Sequence, residues 1–300
     1  MLDKPAHSPS PAGRGETLAL LVTCSCLWAS GFLFMRLLTG QIAPEAMAGA
    51  RAGIAAVLLC ILFACRGERI MPHSYEWGPF AVIGTLNGWL PNILTAFALT
   101  QISTASSAMI QASGPLIVAV LAHFLFAEER LSLHRFAGVL LGFLGMGLLI
   151  GPDALVPGTN GQIGFFAMTS VAVCYAVGNL YTRRVRAIPP LRLALGQQII
   201  SSLVALPLAF VLKGPEALLA LADHWIYVLA LGSLATAVPI SLFMVLISKA
   251  GPTRAAMVGY LMPIFATGFS ILFLGESVGL REVLGGLVIL SGIWLATSKR

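Results

Sequence analysis

The chain has 300 residues, 58% of them hydrophobic and only 10% charged, with a mean hydropathy of +0.90. Soluble proteins carry about 25% charged residues, so an ordinary soluble domain is excluded, as are a disordered chain, a collagen, a coiled coil and a disulfide scaffold. The net charge of +6 matters here only through where the basic residues sit, and no nucleic-acid partner is expected.

The first sixteen residues are rich in Pro, Ser and Gly and read as a disordered tail, with no small-residue cleavage site to mark the first apolar run as a removable signal. A spanning helix needs about 20 apolar residues, and polar breaks cut the rest into ten such segments. They are expected at 17–38, 45–65, 76–99, 104–126, 132–151, 161–182, 190–212, 224–247, 253–274 and 280–297. Runs such as Phe136 to Ile150 are apolar on every side, which excludes the two-residue alternation of a membrane β-barrel. Cys24, Cys26, Cys60, Cys65 and Cys174 fall inside or at the end of these runs and read as small packing residues.

Orientation follows from Lys and Arg. Placing the N-terminus inside puts Lys4, Arg14, Arg66, Arg69, Arg130, Arg135, Arg183, Arg184, Arg186, Arg192, Lys249, Arg254, Lys299 and Arg300 in cytoplasmic segments. Arg36, Lys213 and Arg281 fall beside outside loops and Arg51 within the second span, so both termini are expected in the cytoplasm.

Sliding the chain over itself by 148 residues places Trp77 on Trp225, Gly84 on Gly232, Pro91 on Pro239, Met109 on Met257, Pro115 on Pro263 and Glu128 on Glu276. An offset of 147 aligns the flanks, Gly31 with Gly178, Arg36 with Arg183, Gly138 with Gly285 and Gly145 with Gly292. The repeats are expected at 17–151 and 161–297. Five spans per repeat force the halves into opposite orientations, the plan of many secondary transporters, with substrate near the midplane between them. Pro91, Pro115, Pro239 and Pro263 lie within spans in symmetric register, where each removes a backbone hydrogen bond and can act as a hinge.

The segments Leu27 to Arg36 and Ala50 to Leu59, and the pattern Pro263, Gly275, Glu276, Leu280, Gly285 with its earlier copy from Pro115 through Glu128 or Glu129, Leu131 and Gly138, resemble the EamA repeat of the drug/metabolite transporter superfamily. The first copy departs from the pattern, with Ala127, Glu128 and Glu129 where the second has Gly275 and Glu276. The resemblance covers the chain after residue 16, and within the superfamily the ten-helix plan is most similar to bacterial amino-acid exporters of the YddG type. It implies an all-α carrier in a bacterial inner membrane, exporting small solutes through a cavity among spans 1, 3, 4, 6, 8 and 9. Such a carrier is no enzyme and works without metal or cofactor.

On those spans the candidate substrate-binding residues are Trp28 and Ser30, then Asn87, Trp89 and Asn92 beside Pro91, then Gln111. Tyr175 and Asn179 follow one helical turn apart on the sixth span, and Tyr260 lies on the ninth. Buried amides and hydroxyls cost several kcal/mol in hydrocarbon unless paired, so these groups face helices, water or substrate. The same groups can also do no more than pin helices together.

A cavity of aromatic, amide and hydroxyl groups without clustered charge disfavours sugar phosphates, which want Lys or Arg, and lipophilic cations, which want a buried carboxylate. Amino acids with aromatic or other apolar side chains fit, moving down their gradient. Quaternary amines, sugars and nucleobases, with or without proton coupling, are the alternatives, as is a non-transporting structural or receptor protein. Arg51 is expected to serve structure by snorkelling outward, with a carboxylate in the outer vestibule as its other partner. His123 is a weaker candidate for proton relay.

An intramembrane serine protease fails on geometry, because ten residues of helix hold Ser113 about 15 Å from His123. Cys24 and Cys26 lie on nearly opposite faces, so no thiolate metal clip forms. Oligomeric state is left open, and a monomer is compatible with the plan.

Overall fold

The computed structural model describes residues 14–125, 132–151, 156, 158–182 and 184–297, and among them every regular element is helical. The helices are α1 Arg14–Leu38, α2 Pro44–Cys65, α3 Trp77–Gly84, α4 Leu90–Ala98, α5 Thr104–Ala112, α6 Gly114–Leu125, α7 Leu133–Ile150 and α8 Asn160–Thr182. They continue as α9 Pro190–Lys213, α10 Glu216–Asp223, α11 Trp225–Gly232, α12 Val238–Ala250, α13 Pro252–Ala255, α14 Val258–Leu274 and α15 Leu280–Thr297. By length and composition seven segments among the described residues can cross a membrane: Gly15–Leu38, Pro44–Cys65, Ser74–Ala98, Thr104–Leu121, Asn160–Thr182, Pro190–Lys213 and Trp225–Ala250. Leu133–Leu149 and Val258–Leu274 are apolar but shorter.

Four expected spans are divided, those at 76–99 and 224–247 by a π turn each. The segment expected at 104–126 breaks at Ser113, just before Gly114 and Pro115, because a proline can neither donate to the preceding turn nor avoid its carbonyl. The segment expected at 253–274 is split into α13 and α14. The tail expected over 1–16 is corrected at its end, since α1 already begins at Arg14. Glu16 sits in that first turn, where the helix dipole favours an acid, and Lys249 at the end of α12 donates to it. The acidic pair Glu128 and Glu129, with Leu131, lies outside the described residues.

The two copies carry the same irregularity. A π-helical turn, Thr85–Trp89, joins α3 to α4, and a second, Ser233–Ala237, joins α11 to α12, each two residues before a buried proline, Pro91 and Pro239. At Gly88 the backbone leaves helical geometry (φ −118°, ψ −108°), and a Cβ there would land on Ser201 Oγ at 1.9 Å. The wide turn exists because the proline cannot close the ordinary ladder, and a π turn redistributes the freed groups.

Packing follows the same symmetry. α2 lies along α9 and α7 along α15, each helix against its own counterpart in the other repeat. α1 packs on α12 and α14, and its counterpart α8 packs correspondingly on α4, α5 and α6. The α7–α15 contact is close enough for backbone to meet backbone. A Cβ on Gly138 would lie 2.5 Å from Ala296 N, one on Gly145 2.6 Å from Ile289 N, and one on Gly292 2.4 Å from Gly142 N. Small residues supply such contact between helices in lipid, where no hydrophobic effect separates helix from solvent.

Gly292→Val therefore destabilises the protein by forcing backbone apart, at a cost of about 1–3 kcal/mol for an overpacked site. Gly147→Ala, which meets no atom within 4 Å, leaves the thermal unfolding midpoint in detergent unchanged. Equal midpoints for both variants would contradict this account of the α7–α15 seam.

Candidate functional site

The packed halves enclose a cavity of about 700 Å³ lined by residues of α1, α2, α3, α4, α5, α8, α9, α12 and α14 together with both π turns. Of the residues singled out from sequence, Trp28, Asn87, Asn92, Gln111, Tyr175 and Asn179 line it. Trp28 packs on Phe243 of α12 with ring centroids 5.0 Å apart. Asn87 Nδ2 donates to Asn179 Oδ1 at 3.2 Å, which joins the first π turn to α8.

Ser30, Trp89 and Tyr260 are not brought to the cavity. Ser30 Oγ donates to Leu27 O at 2.7 Å within its own helix, as Trp89 Nε1 does to Thr85 Oγ1 at 3.1 Å. Tyr260 packs against the hydrophobic core, and α14 presents Met262 to the cavity instead. Of the four prolines, Pro91 and Pro239 follow the π turns, Pro115 lies at the α5–α6 break, and Pro263 borders a separate apolar pocket with Met109 and Leu287. His123 stacks edge-on against Phe124 and does not line the cavity.

Sequence reasoning misplaced Arg51. Its side chain turns inward, so the expectations of outward snorkelling and of a cavity without charge are both corrected. Arg51 Nε donates to Thr236 Oγ1 at 2.7 Å, Nη1 to Asn92 Oδ1 at 2.9 Å, and Nη2 approaches Ala235 O at 3.4 Å. Asn92 Nδ2 in turn donates to Gly88 O at 2.8 Å, so one side chain ties the two π turns together. Among the described residues no carboxylate pairs with Arg51.

The prolines explain the partners. Pro91 leaves the carbonyl of Asn87 without its helical donor, and Gln197 Nε2 of α9 supplies one at 2.8 Å. Pro239 leaves the carbonyl of Ala235 in the same condition, and Arg51 Nη2 of α2 meets it at the longer distance of 3.4 Å. Gln197 and Gln198 also line the cavity, with Gln198 buried. One signal in the sequence could have found Arg51: an ionisable residue in the middle of a spanning segment is functional by default.

The cavity has two unlike ends. Its lining reaches the surface at the α8–α9 connection, where Arg186 and Pro190 are exposed. Toward the other end it stops at Met35 and Thr95. Just beyond, Arg36 Nη1 donates to Leu99 O, one turn past Thr95, and Arg36 Nε lies 3.3 Å from Glu276 Oε1. Glu276 accepts from Thr104 N and Thr104 Oγ1, each at 2.9 Å, and so caps α5 with a charge its dipole favours. Gly275, left-handed at φ 64°, turns the chain after α14 to present that carboxylate. This closed end thus links α1, α4, α5 and α14 through one ion pair.

At the open end Arg192 of α9 grips Glu76 with Nε and Nη2 and donates to Met71 O at 2.9 Å. That fork fixes the start of α9 to the start of α3.

The EamA-like transporter family matches twice, at residues 15–151 and 162–298. A WAT1-related chloroplastic protein of Arabidopsis thaliana is 27% identical over 94% of this chain and 70% of its own length. An uncharacterized transporter of Bacillus subtilis is 25% identical over 93% of this chain and 91% of its own. An S-adenosylmethionine/S-adenosylhomocysteine transporter of Chlamydia trachomatis is 24% identical over 88% and 84%. A solved crystal structure superposes with a TM-score of 0.67 at 20% identity, covering 95% of this chain and 98% of that one, and shares its fold. With both halves matched and the helices built for a bilayer, the chain is a membrane protein that belongs to the EamA-like transporter family.

Proposed function

We propose that this chain is an amino-acid carrier, exporting aromatic and other apolar neutral amino acids such as methionine by alternating access. The reading takes the chain as ten crossings in two inverted halves, both termini cytoplasmic, in a bacterial inner membrane. It is supported above all by the cavity, built from both repeats and lined by amides, aromatic rings and the thioethers of Met35, Met244 and Met262. Such walls hold an apolar side chain against rings and methionines while amides serve the polar end. The cavity opens at the α8–α9 connection, which this topology places inside, and is shut at the Arg36–Glu276 end, which it places outside. Substrate then enters from the cytoplasm. Among the described residues no acidic side chain lines the cavity, which favours movement down the gradient over tight proton coupling.

A second reading is favoured by size. About 700 Å³ is room for a drug-sized ligand, so an amino acid carrying a large planar substituent also fits. The chlamydial relative is named for S-adenosylmethionine and its homocysteine product, and both are amino acids extended in this way.

Labelled phenylalanine and methionine are expected to show saturable flux in proteoliposomes of the purified protein, unaltered by an imposed pH gradient. Flux of sugars or quaternary amines without amino acids would overturn the substrate class. Asn179→Ala raises the half-saturating concentration, while Trp89→Phe, outside the cavity, leaves it unchanged.

Glu276→Gln removes the charge that holds the closed end, weakening it by roughly 1.5–3 kcal/mol, the worth of a hydrogen bond to a charged group. In a background lacking the native cysteines, Met35→Cys then reacts roughly tenfold or more faster with a membrane-impermeant maleimide added outside. Unchanged reactivity would remove Arg36–Glu276 from the gate.

A further inference from the structure

We propose that Arg51 binds the carboxylate of the transported solute, so that the cavity selects for an anionic head group; this rests on the reading of the chain as a carrier and sharpens its substrate class. The structural account of Arg51 is that it satisfies the backbone opened by Pro239 and ties the π turns together. A freed carbonyl calls for a donor but not for a charge. In the first repeat the equivalent vacancy, the Asn87 carbonyl opened by Pro91, is filled by Gln197, a neutral amide. The same task is therefore done without a cation in one half and with one in the other.

The offset of 147 places Gln198 on Arg51. The two helices are packed against each other as counterparts, and both residues line the cavity. At this pair of positions the charge breaks the symmetry of the site, and it lies deep in the cavity, whereas Arg186 sits at the exposed mouth.

An uncompensated guanidinium in the interior of a membrane protein costs several kcal/mol unless an anion or water meets it. Among the described residues every partner it has is neutral: Thr236 Oγ1, Asn92 Oδ1, Ala235 O and, at 3.4 Å, Met35 Sδ. Two of these contacts, at 3.4 Å to Ala235 O and to sulfur, are weak for a group with five donors. The side chain is half-buried and open to the cavity. Its planar fork matches a carboxylate, and Thr236 and Asn92 hold it in place beforehand. Trp28, Tyr175 and Phe243 share the same cavity and provide apolar surface for the remainder of the solute.

The test is equilibrium binding to the purified full-length protein in nanodiscs, using four probes that share one ring: phenylalanine, 3-phenylpropionate, phenethylamine and phenylalaninamide. Phenylalanine and 3-phenylpropionate are expected to bind roughly 10- to 100-fold more tightly than the amine and the amide, the range for a hydrogen bond to a charged group. Arg51→Gln abolishes that ratio, and Arg51→Lys, which keeps the charge without the fork, retains part of it. The ratio among probes on the wild-type protein needs no variant to fold.

Equal binding of acid and amine, equal loss of all four probes in Arg51→Gln, or binding of none of the four would each overturn the assignment. Binding of 3-phenylpropionate without phenylalanine would uphold Arg51 and overturn amino acids as the substrate. Preference for the amine over both acids would overturn the anchor while leaving a carrier of amines.

Discussion

A proline inside a membrane helix leaves a backbone carbonyl with no donor, in a solvent that supplies none. Most of the centre of this protein follows from that constraint. Pro91 and Pro239 each open the helix one turn earlier, the chain widens into a π turn, and the freed carbonyls of Asn87 and Ala235 must be met by side chains from elsewhere. The donors come from α9 and α2, which lie along each other. Satisfying the backbone therefore draws the paired helices to the middle and lines the space between them with polar groups. The cavity is polar where it is because the helices are broken there.

Away from the centre the requirements reverse. α7 and α15 are joined through glycines at backbone contact, with no polar group needed and no room for a larger residue. They form a close-packed seam outside the cavity, since neither helix contributes to its lining. The ion pairs sit at the ends of the helices, where water and headgroups reduce the cost of charge. Arg36 with Glu276 closes one end, and Arg192 with Glu76 together with Lys249 and Glu16 fastens the other around the opening. A carrier that exposes its cavity to one side at a time needs strong but separable contacts at its ends, and ion pairs at the membrane surface have that character.

Much of this was legible in the residues. Apolar length marked the helices, the register of Trp and Pro marked the repeat, and the i, i+4 spacing of Tyr175 and Asn179 put both on one face, where the cavity is. Trp28, Asn87, Asn92 and Gln111 were found by the same rule, that amides and rings in a bilayer face something other than lipid. The rule failed for Ser30 and Trp89 because a hydroxyl or an indole N–H can be satisfied within its own helix. It failed for Tyr260 because the ring packs against the hydrophobic core, where Met262 of the same helix takes the place at the cavity.

The sequence by itself determined that this chain is helical, apolar enough for a bilayer, duplicated, and punctuated by prolines in register, because each of these is a property of local composition and spacing. The direction of the Arg51 side chain was decided by tertiary structure alone. A long cationic side chain can reach outward to headgroups or inward to a polar cavity, and nothing within α2 distinguishes the two. What settles it is Thr236 and Ala235, 185 and 184 residues away, and Asn92, 41 away. Those groups meet Arg51 only once two broken helices have been packed face to face. Glu276 is the same case, a carboxylate in a connecting loop until α1 and α5 arrive beside it.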